Sequence, residues 1–116
     1  EPRIDEFIQF MDENGLGNKP LIISEIGGGA LYGFRDPHRA HWSEEYQSDL
    51  LAEIIRVFKA NDKITGLALW QFCDCRTYNN KIALKRPRGF NNKGSYDEYR
   101  RPKMAAHVVA EAFREV

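Results

Sequence analysis

Leu21-Ile22-Ile23-Ser24-Glu25-Ile26-Gly27-Gly28-Gly29 sets how the rest of the chain is read. An apolar run with the composition of a buried parallel strand delivers one carboxylate, Glu25, at its carboxyl end, where three glycines take over. Burying a carboxylate that lacks partners costs several kcal/mol. In barrels and open α/β sheets the carboxyl ends of strands are where active sites assemble, which makes Glu25 a candidate catalytic group. A hydrated rim glutamate is the plainer alternative at this position.

Upstream of that strand, Ile4, Phe7, Ile8 and Met11 recur at i, i+3, i+4 and i+7, the stripe of an amphipathic helix, and Asn14-Gly15-Leu16-Gly17 supplies its stop. Downstream, a loop rich in Gly, aromatic and His residues is expected from Gly27 to Trp42, a length that often carries function. Ser43 followed by Glu44 and Glu45 has the pattern of an N-cap with acids in the first turn. Tyr46, Leu50, Ile54 and Phe58 keep the helical period to about Ala60, with Leu51, Ile55 and Val57 widening the apolar face. Asn61 and Asp62 end that helix. Ile64 to Phe72 is nearly all apolar, the composition of a second strand covered on both faces. A basic, irregular stretch from Arg76 to Arg101 follows, and Pro102 is expected to open a last helix lined by Ala105, Val108, Val109 and Ala112.

The order predicts an α/β chain with a right-handed β-α-β crossover from Leu21 to Phe72. Two parallel strands do not make a stable sheet, since each needs neighbours and cover on both faces. Either the chain is a slice of a larger (β/α)8 barrel, or it completes its sheet against another copy of itself. The slice is the preferred reading, and Glu rather than Met at position 1 also leads us to expect a piece of something longer or a processed product.

With 116 residues and 13.4 kDa, one domain with a modest core is expected. Seventeen basic residues balance seventeen acidic ones, so no global field favours a polyanion. The Lys and Arg residues between Lys81 and Lys103 form the one candidate basic patch, and nucleic acid is not an expected partner. Apolar runs span only a few residues, so neither a membrane span nor a leader is expected, and the chain reads as soluble. Cys73 and Cys75 are too close along a strand end for an unstrained disulfide and are expected as thiols, which fits a cytoplasmic setting. His38 and His41 do not complete a zinc pattern with them, so no metal and no cofactor is expected.

Four blocks carry a resemblance: Ser24-Glu25 before the glycines, Trp42-Ser43-Glu44-Glu45-Tyr46-Gln47, Leu69-Trp70-Gln71-Phe72, and Asn91-Asn92-Lys93-Gly94. In this order and at these separations they resemble the carboxyl-terminal part of the catalytic TIM barrel of glycoside hydrolase family 2, especially the β-glucuronidases. The resemblance covers most of the chain. It implies that residues 1–116 are a partial (β/α)8 TIM barrel, the last two strand-helix units with a helix before them. Leu21 to Ile26 would be the seventh barrel strand, Ile64 to Phe72 the eighth, and Pro102 to Glu115 the closing helix.

Members of this family are retaining exo-glycosidases that use two carboxylic acids about 5 Å apart. The resemblance makes Glu25 the nucleophile, ionised and oriented by donors from adjacent loops, and Trp70 the aromatic floor beneath the sugar, although strand position alone fits a core Trp equally well. Asn91 and Lys93 match the Asn-x-Lys pair that holds the substrate carboxylate through charge-assisted hydrogen bonds. Arg88 would add a second cation there, although a solvated surface loop is the commoner fate of such a charge run. His38 and His41 are candidates for lining the same cleft, although a lone loop histidine is more often a surface residue. The family's general acid, an Asn-Glu pair on the fourth barrel strand, has no counterpart before Glu25, because Glu6 and Glu13 fall on or just after the first helix. The chain alone is therefore expected to be inactive and to need the remainder of the barrel, or another copy, as a partner beside its β-glycoside substrate.

Other readings remain open at this point. Related β-galactosidases carry a similar Asn-x-Lys-Gly string, and a non-catalytic carbohydrate-binding or oligomerising remnant would keep the same cleft. A flavodoxin-like domain holding phosphate at Gly27-Gly28-Gly29 is the poorest fit, since the G-x-G-x-x-G spacing is missing.

Overall fold

A computed structural model describes residues 2–78 and 80–114 of the chain. It is a mixed α/β structure with helix α1 (Pro2–Glu13), strand β1 (Leu21–Ile26), helix α2 (Glu44–Lys59) and strand β2 (Ile64–Leu69). A short strand β3 (Cys75–Arg76), a one-turn helix α3 (Asn80–Ala83), a 3-10 turn (Pro87–Gly89), a strand β4 (Phe90–Asn91) and helix α4 (Met104–Arg114) follow. Glu115, the expected end of the last helix, lies outside the described residues.

Helix α1 stops for a local reason. Gly15 adopts φ +73°, its N–H bonds the Asp12 carbonyl at 3.2 Å and the Leu16 N–H bonds the Met11 carbonyl at 2.8 Å, a Schellman closure that glycine makes without strain. At the start of α2 the Ser43 hydroxyl accepts from the Tyr46 N–H at 3.1 Å, the expected N-cap. Leu51, Ile55 and Phe58 form the buried stripe of α2, and with Ala105 and Ala106 of α4 they make up most of the apolar core. Each such large side chain contributes about 1.5–3 kcal/mol by leaving water.

β1 and β2 pair in parallel, with Leu21 opposite Ile64, Ile22 opposite Gly66, Ile23 opposite Leu67 and Ile26 opposite Leu69. The expectation that both strands are covered on both faces is corrected here. Ile22 is 65% exposed, and Thr65 and Ala68 are exposed as well, because among the described residues these two strands have only each other as sheet neighbours.

Two further boundaries differ from expectation. β2 ends at Leu69 rather than Phe72, since the backbone beyond it changes partner: Gln71 N–H bonds Lys93 O, Ser95 N–H bonds Gln71 O, and Tyr96 N–H bonds Phe72 O. The last helix opens at Met104, not Pro102, because Pro102 bridges Tyr96 and the Lys103 N–H is committed to the Ser95 carbonyl. The stretch read as irregular contains the antiparallel pair β3–β4. No helix among the described residues is long and apolar enough to cross a membrane.

Candidate active site

The parallel register brings the ends of β1 and β2 together. Ile26, directly after Glu25, pairs with Leu69, and its carbonyl accepts from the Trp70 N–H at 2.7 Å. Glu25 and Trp70 therefore sit at the same, carboxyl, end of neighbouring strands. Both are exposed, Trp70 by 41%, and the Glu25 carboxylate has no hydrogen-bond or ion-pair partner among the described residues. Glu25 thus stands at the expected end of β1, without oriented donors around its carboxylate among the described residues.

The glycines act through close approach. A Cβ on Gly27 would collide with the Trp70 carbonyl, one on Gly28 with Leu50, and one on Gly29 with the Trp42 ring at 2.5 Å. They let the loop after β1 approach the Trp70 backbone, α2 at Leu50 and the Trp42 ring closely.

Asn91 and Lys93 come to this same end of the sheet. Ala30 N–H bonds the Asn92 carbonyl at 2.9 Å, and Gln71 N–H bonds the Lys93 carbonyl at 3.0 Å. The Gln47 side-chain amide on α2 donates to Gly28 O at 2.8 Å and to Gly94 O at 3.0 Å, so one buried side chain joins the glycine loop to the Asn91–Gly94 loop. Asn91 is buried and its Oδ1 faces the Lys93 N–H at 3.4 Å, while Lys93 is half-buried.

Beneath these loops lies an ion pair with no side-chain exposure on either partner. The Lys103 ammonium donates to Asp74 Oδ1 at 2.8 Å, Ala30 O at 2.7 Å and Asn92 O at 3.1 Å. Asp74 Oδ1 also accepts from the Gly94 N–H at 2.9 Å. Burial pushes the Asp74 carboxyl up and the Lys103 ammonium down, each partly offset by the charge of the other. Glu44 is buried too, and its two oxygens accept from Gly33 N–H at 2.6 Å and Met104 N–H at 2.7 Å. Glu44 lies in the first turn of α2, as expected, and through Met104 it also places a negative charge at the N-terminus of α4.

The long loop is tied down at its far side. Arg35 donates to Glu45 Oε1 at 2.6 Å and the Asp36 N–H to Oε2 at 3.0 Å, which together hold the Glu45 carboxyl far below its ordinary value, at about 2. His41 stacks on Trp42 at 4.3 Å, and His38 is an exposed turn residue whose N–H bonds Asp36. Arg88 stands apart from Asn91 and Lys93 in its bonding. Its guanidinium makes two hydrogen bonds to Glu98, at 2.8 and 3.1 Å, and lies over the Phe90 ring at 5.1 Å. With Glu98, Tyr32, Phe34 and Arg101 it lines a surface depression of about 380 Å³. Cys73 and Cys75 are free, and among the described residues no three His, Cys, Asp or Glu side chains are grouped to hold a metal ion.

Sequence reasoning missed the roles of Asp74, Lys103, Asn92 and Gln47. In the sequence Lys103 is one end of the candidate basic patch from Lys81, and Asp74 sits in a Cys-Asp-Cys string read for its thiols. A signal existed for Gln47, four residues before the buried Leu51 and so on the apolar side of its helix, where an amide must find partners.

Among solved structures, a family 2 β-galacturonidase from Eisenbergiella tayi bound to galacturonate is similar over 100% of this chain and 21% of its own, with TM-score 0.92 and 43% identity. The β-glucuronidase of Paenibacillus borealis is 35% identical over 98 residues, 84% of this chain and 16% of the relative. That of Rattus norvegicus is 34% identical over 107 residues, 90% of this chain and again 16% of the relative. No family model matches the chain. The chain thus spans about a sixth of the length of these curated relatives. A parallel strand pair carrying Glu25 and Trp70 at one end, the Asn91-x-Lys93 loop laid against it, and these similarities converge: the chain is a β-glucuronidase-like segment of glycoside hydrolase family 2.

Proposed function

We propose that residues 1–116 are the carboxyl-terminal portion of a family 2 TIM-barrel catalytic domain, and that the whole enzyme is a retaining exo-β-glycosidase acting on β-uronides. β-Glucuronides are the substrate the sequence motifs point to. The 43% identity with a β-galacturonidase, higher than with the curated β-glucuronidases, favours β-galacturonides as the second reading. Both substrates carry the same C6 carboxylate.

In this reading Glu25 attacks the anomeric carbon as the leaving-group oxygen takes a proton from an acid outside this chain. The resulting glycosyl-enzyme ester is then cleaved by water, which that same acid, now a base, deprotonates. The Trp70 indole covers the C–H face of the pyranose. The Lys93 ammonium and the Asn91 amide donate to the carboxylate, the strongest kind of hydrogen bond available here. Arg88, engaged by Glu98, contributes positive potential near the carboxylate more than a direct bond. The observation that carries the proposal is the join of Ile26 O to Trp70 N–H, which sets the candidate nucleophile and the candidate sugar platform on adjacent residues of two paired strands.

Apolar surface supports the barrel assignment. A depression of about 430 Å³ lined by Leu67, Leu69, Phe72, Val109 and Phe113 runs along the open side of β2, where a further strand and helix would pack. Glu25 likewise awaits donors from strands this chain does not contain.

The test uses Glu25→Ala in the complete polypeptide with a 4-nitrophenyl β-uronide and azide. Loss of turnover in buffer, restored by azide with an α-glycosyl azide as product, is expected, because azide enters on the face that the carboxylate vacates. A variant that hydrolyses the substrate unaided, or an azide product of β configuration, would overturn the assignment.

A further inference from the structure

The three segments that carry the candidate substrate contacts belong to different parts of the chain, yet one ammonium group touches all of them. The Lys103 Nζ has three protons and finds three acceptors: Ala30 O in the loop after β1, Asp74 Oδ1 in the segment after Trp70, and Asn92 O between Asn91 and Lys93. Asp74 Oδ1 takes in addition the N–H of Gly94, the residue after Lys93. Lys93 is therefore gripped on both sides, through the carbonyl before it and the amide after it.

We propose that the buried Lys103–Asp74 pair positions Asn91 and Lys93 for recognition of the substrate carboxylate, an inference that rests on the uronidase reading above. The physical argument is one of cost. A fully buried ion pair gains little net stability over apolar residues of the same volume, but losing one partner leaves the other charge unpaired. Stability alone therefore gives weak reason for a charge at this place. What the pair does supply is a fixed distance: its hydrogen bonds admit only a few tenths of an ångström of play between the loops they join. Glu25 and Trp70 are held by the β1–β2 ladder and the Ile26–Trp70 bond, whereas the carboxylate-binding loop depends on the pair together with the Gln71–Lys93 and Gln47–Gly94 bonds, so loosening the pair gives that loop more play against the reaction centre. Lys103 and Asp74 are positioning residues and touch no substrate atom.

The test compares Asp74→Asn and Lys103→Met in the complete polypeptide. Asp74→Asn keeps the shape and the oxygen that receives Gly94, so it is expected to fold even where Lys103→Met does not. For a 4-nitrophenyl β-uronide, KM should rise roughly tenfold or more in Asp74→Asn with kcat within about threefold, and more steeply in Lys103→Met. For the matching neutral β-hexoside, KM should stay near the parent value. Hydrogen exchange at the Gly94 and Ala30 amides should speed up in both variants while α2 stays protected. Equal changes for acidic and neutral substrates, or exchange at Gly94 and Ala30 that does not move, would overturn the proposal. A parent enzyme with no uronide turnover would instead defeat the uronidase reading, and the exchange data would then decide by themselves whether the pair fixes this loop.

Discussion

The carboxyl end of the β1–β2 sheet and the outer faces of the sheet and helices differ in how finished they are. At the carboxyl end, three loops meet around buried Gln47, Asn92, Asp74 and Lys103, and backbone and side-chain bonds tie each loop to the others. On the face of the sheet and on helices α1 and α4, by contrast, large apolar side chains face water: Ile22, Phe7, Phe10 and Phe113 are each about half exposed or more. The carboxyl-end loops therefore come assembled, while one face of the sheet stays uncovered. Buried polar groups are concentrated in these loops, and large apolar groups are left outside the small core.

The sharpest way to break that contrast is at Glu25. Glu25→Gln keeps the volume and removes the attacking charge, so in the complete polypeptide uronide turnover should fall by about 10⁴-fold or more with little change in melting temperature. Next comes the carboxylate contact. Lys93→Met removes a charge-assisted bond and should raise KM for the uronide roughly ten- to a hundredfold while leaving kcat for a neutral hexoside unaltered. The opposite pattern belongs to the core, where Leu51→Ala should cost about 2–5 kcal/mol in denaturant unfolding and leave KM in the surviving enzyme unchanged.

Acid should loosen the long loop. Glu45 titrates in the folded chain at about 2 instead of 4.5 because Arg35 and the Asp36 amide hold its charged form. A depressed carboxyl adds stability above its ordinary value and loses it as pH falls from 4.5 through about 2. Over that window, proteolysis within residues 31–42 should accelerate in the parent, and Glu45→Gln should start fast and respond less to pH. The smallest effect is expected at Arg88. It is half exposed and already paired with Glu98, so Arg88→Gln should change KM for the uronide about twofold, and less at high salt.

Most of the architecture was legible because periodicity and end signals agree in α1, α2 and β1: the apolar spacing, the Ser43 cap and the glycine stop are all local. The position of Glu25 at the carboxyl end of β1 was legible because a strand end is a fixed place in a parallel sheet. The end of β2 was not, since apolar composition continues through Phe72 while the hydrogen bonds of that segment go to Lys93, Ser95 and Tyr96, some twenty residues on. Lys103 and Asp74 were hidden for the same reason. Nothing next to either residue announces burial, and the pair exists only once chain 29 residues apart has been brought together. Two-sided cover of β1 and β2 was read from composition that suits a larger sheet than these residues build by themselves.

The central claim is that Glu25 is the group that attacks the sugar. A 2-fluoro-β-uronide with an activated leaving group, incubated with the complete polypeptide and followed by peptide mass mapping, tests it directly, because the electron-poor sugar slows release of the covalent intermediate. One fluoro-uronyl group esterified to Glu25, within the peptide containing residues 21–29, is the predicted result. A label on another carboxylate, or rapid inactivation with Glu25 unmodified, would contradict it.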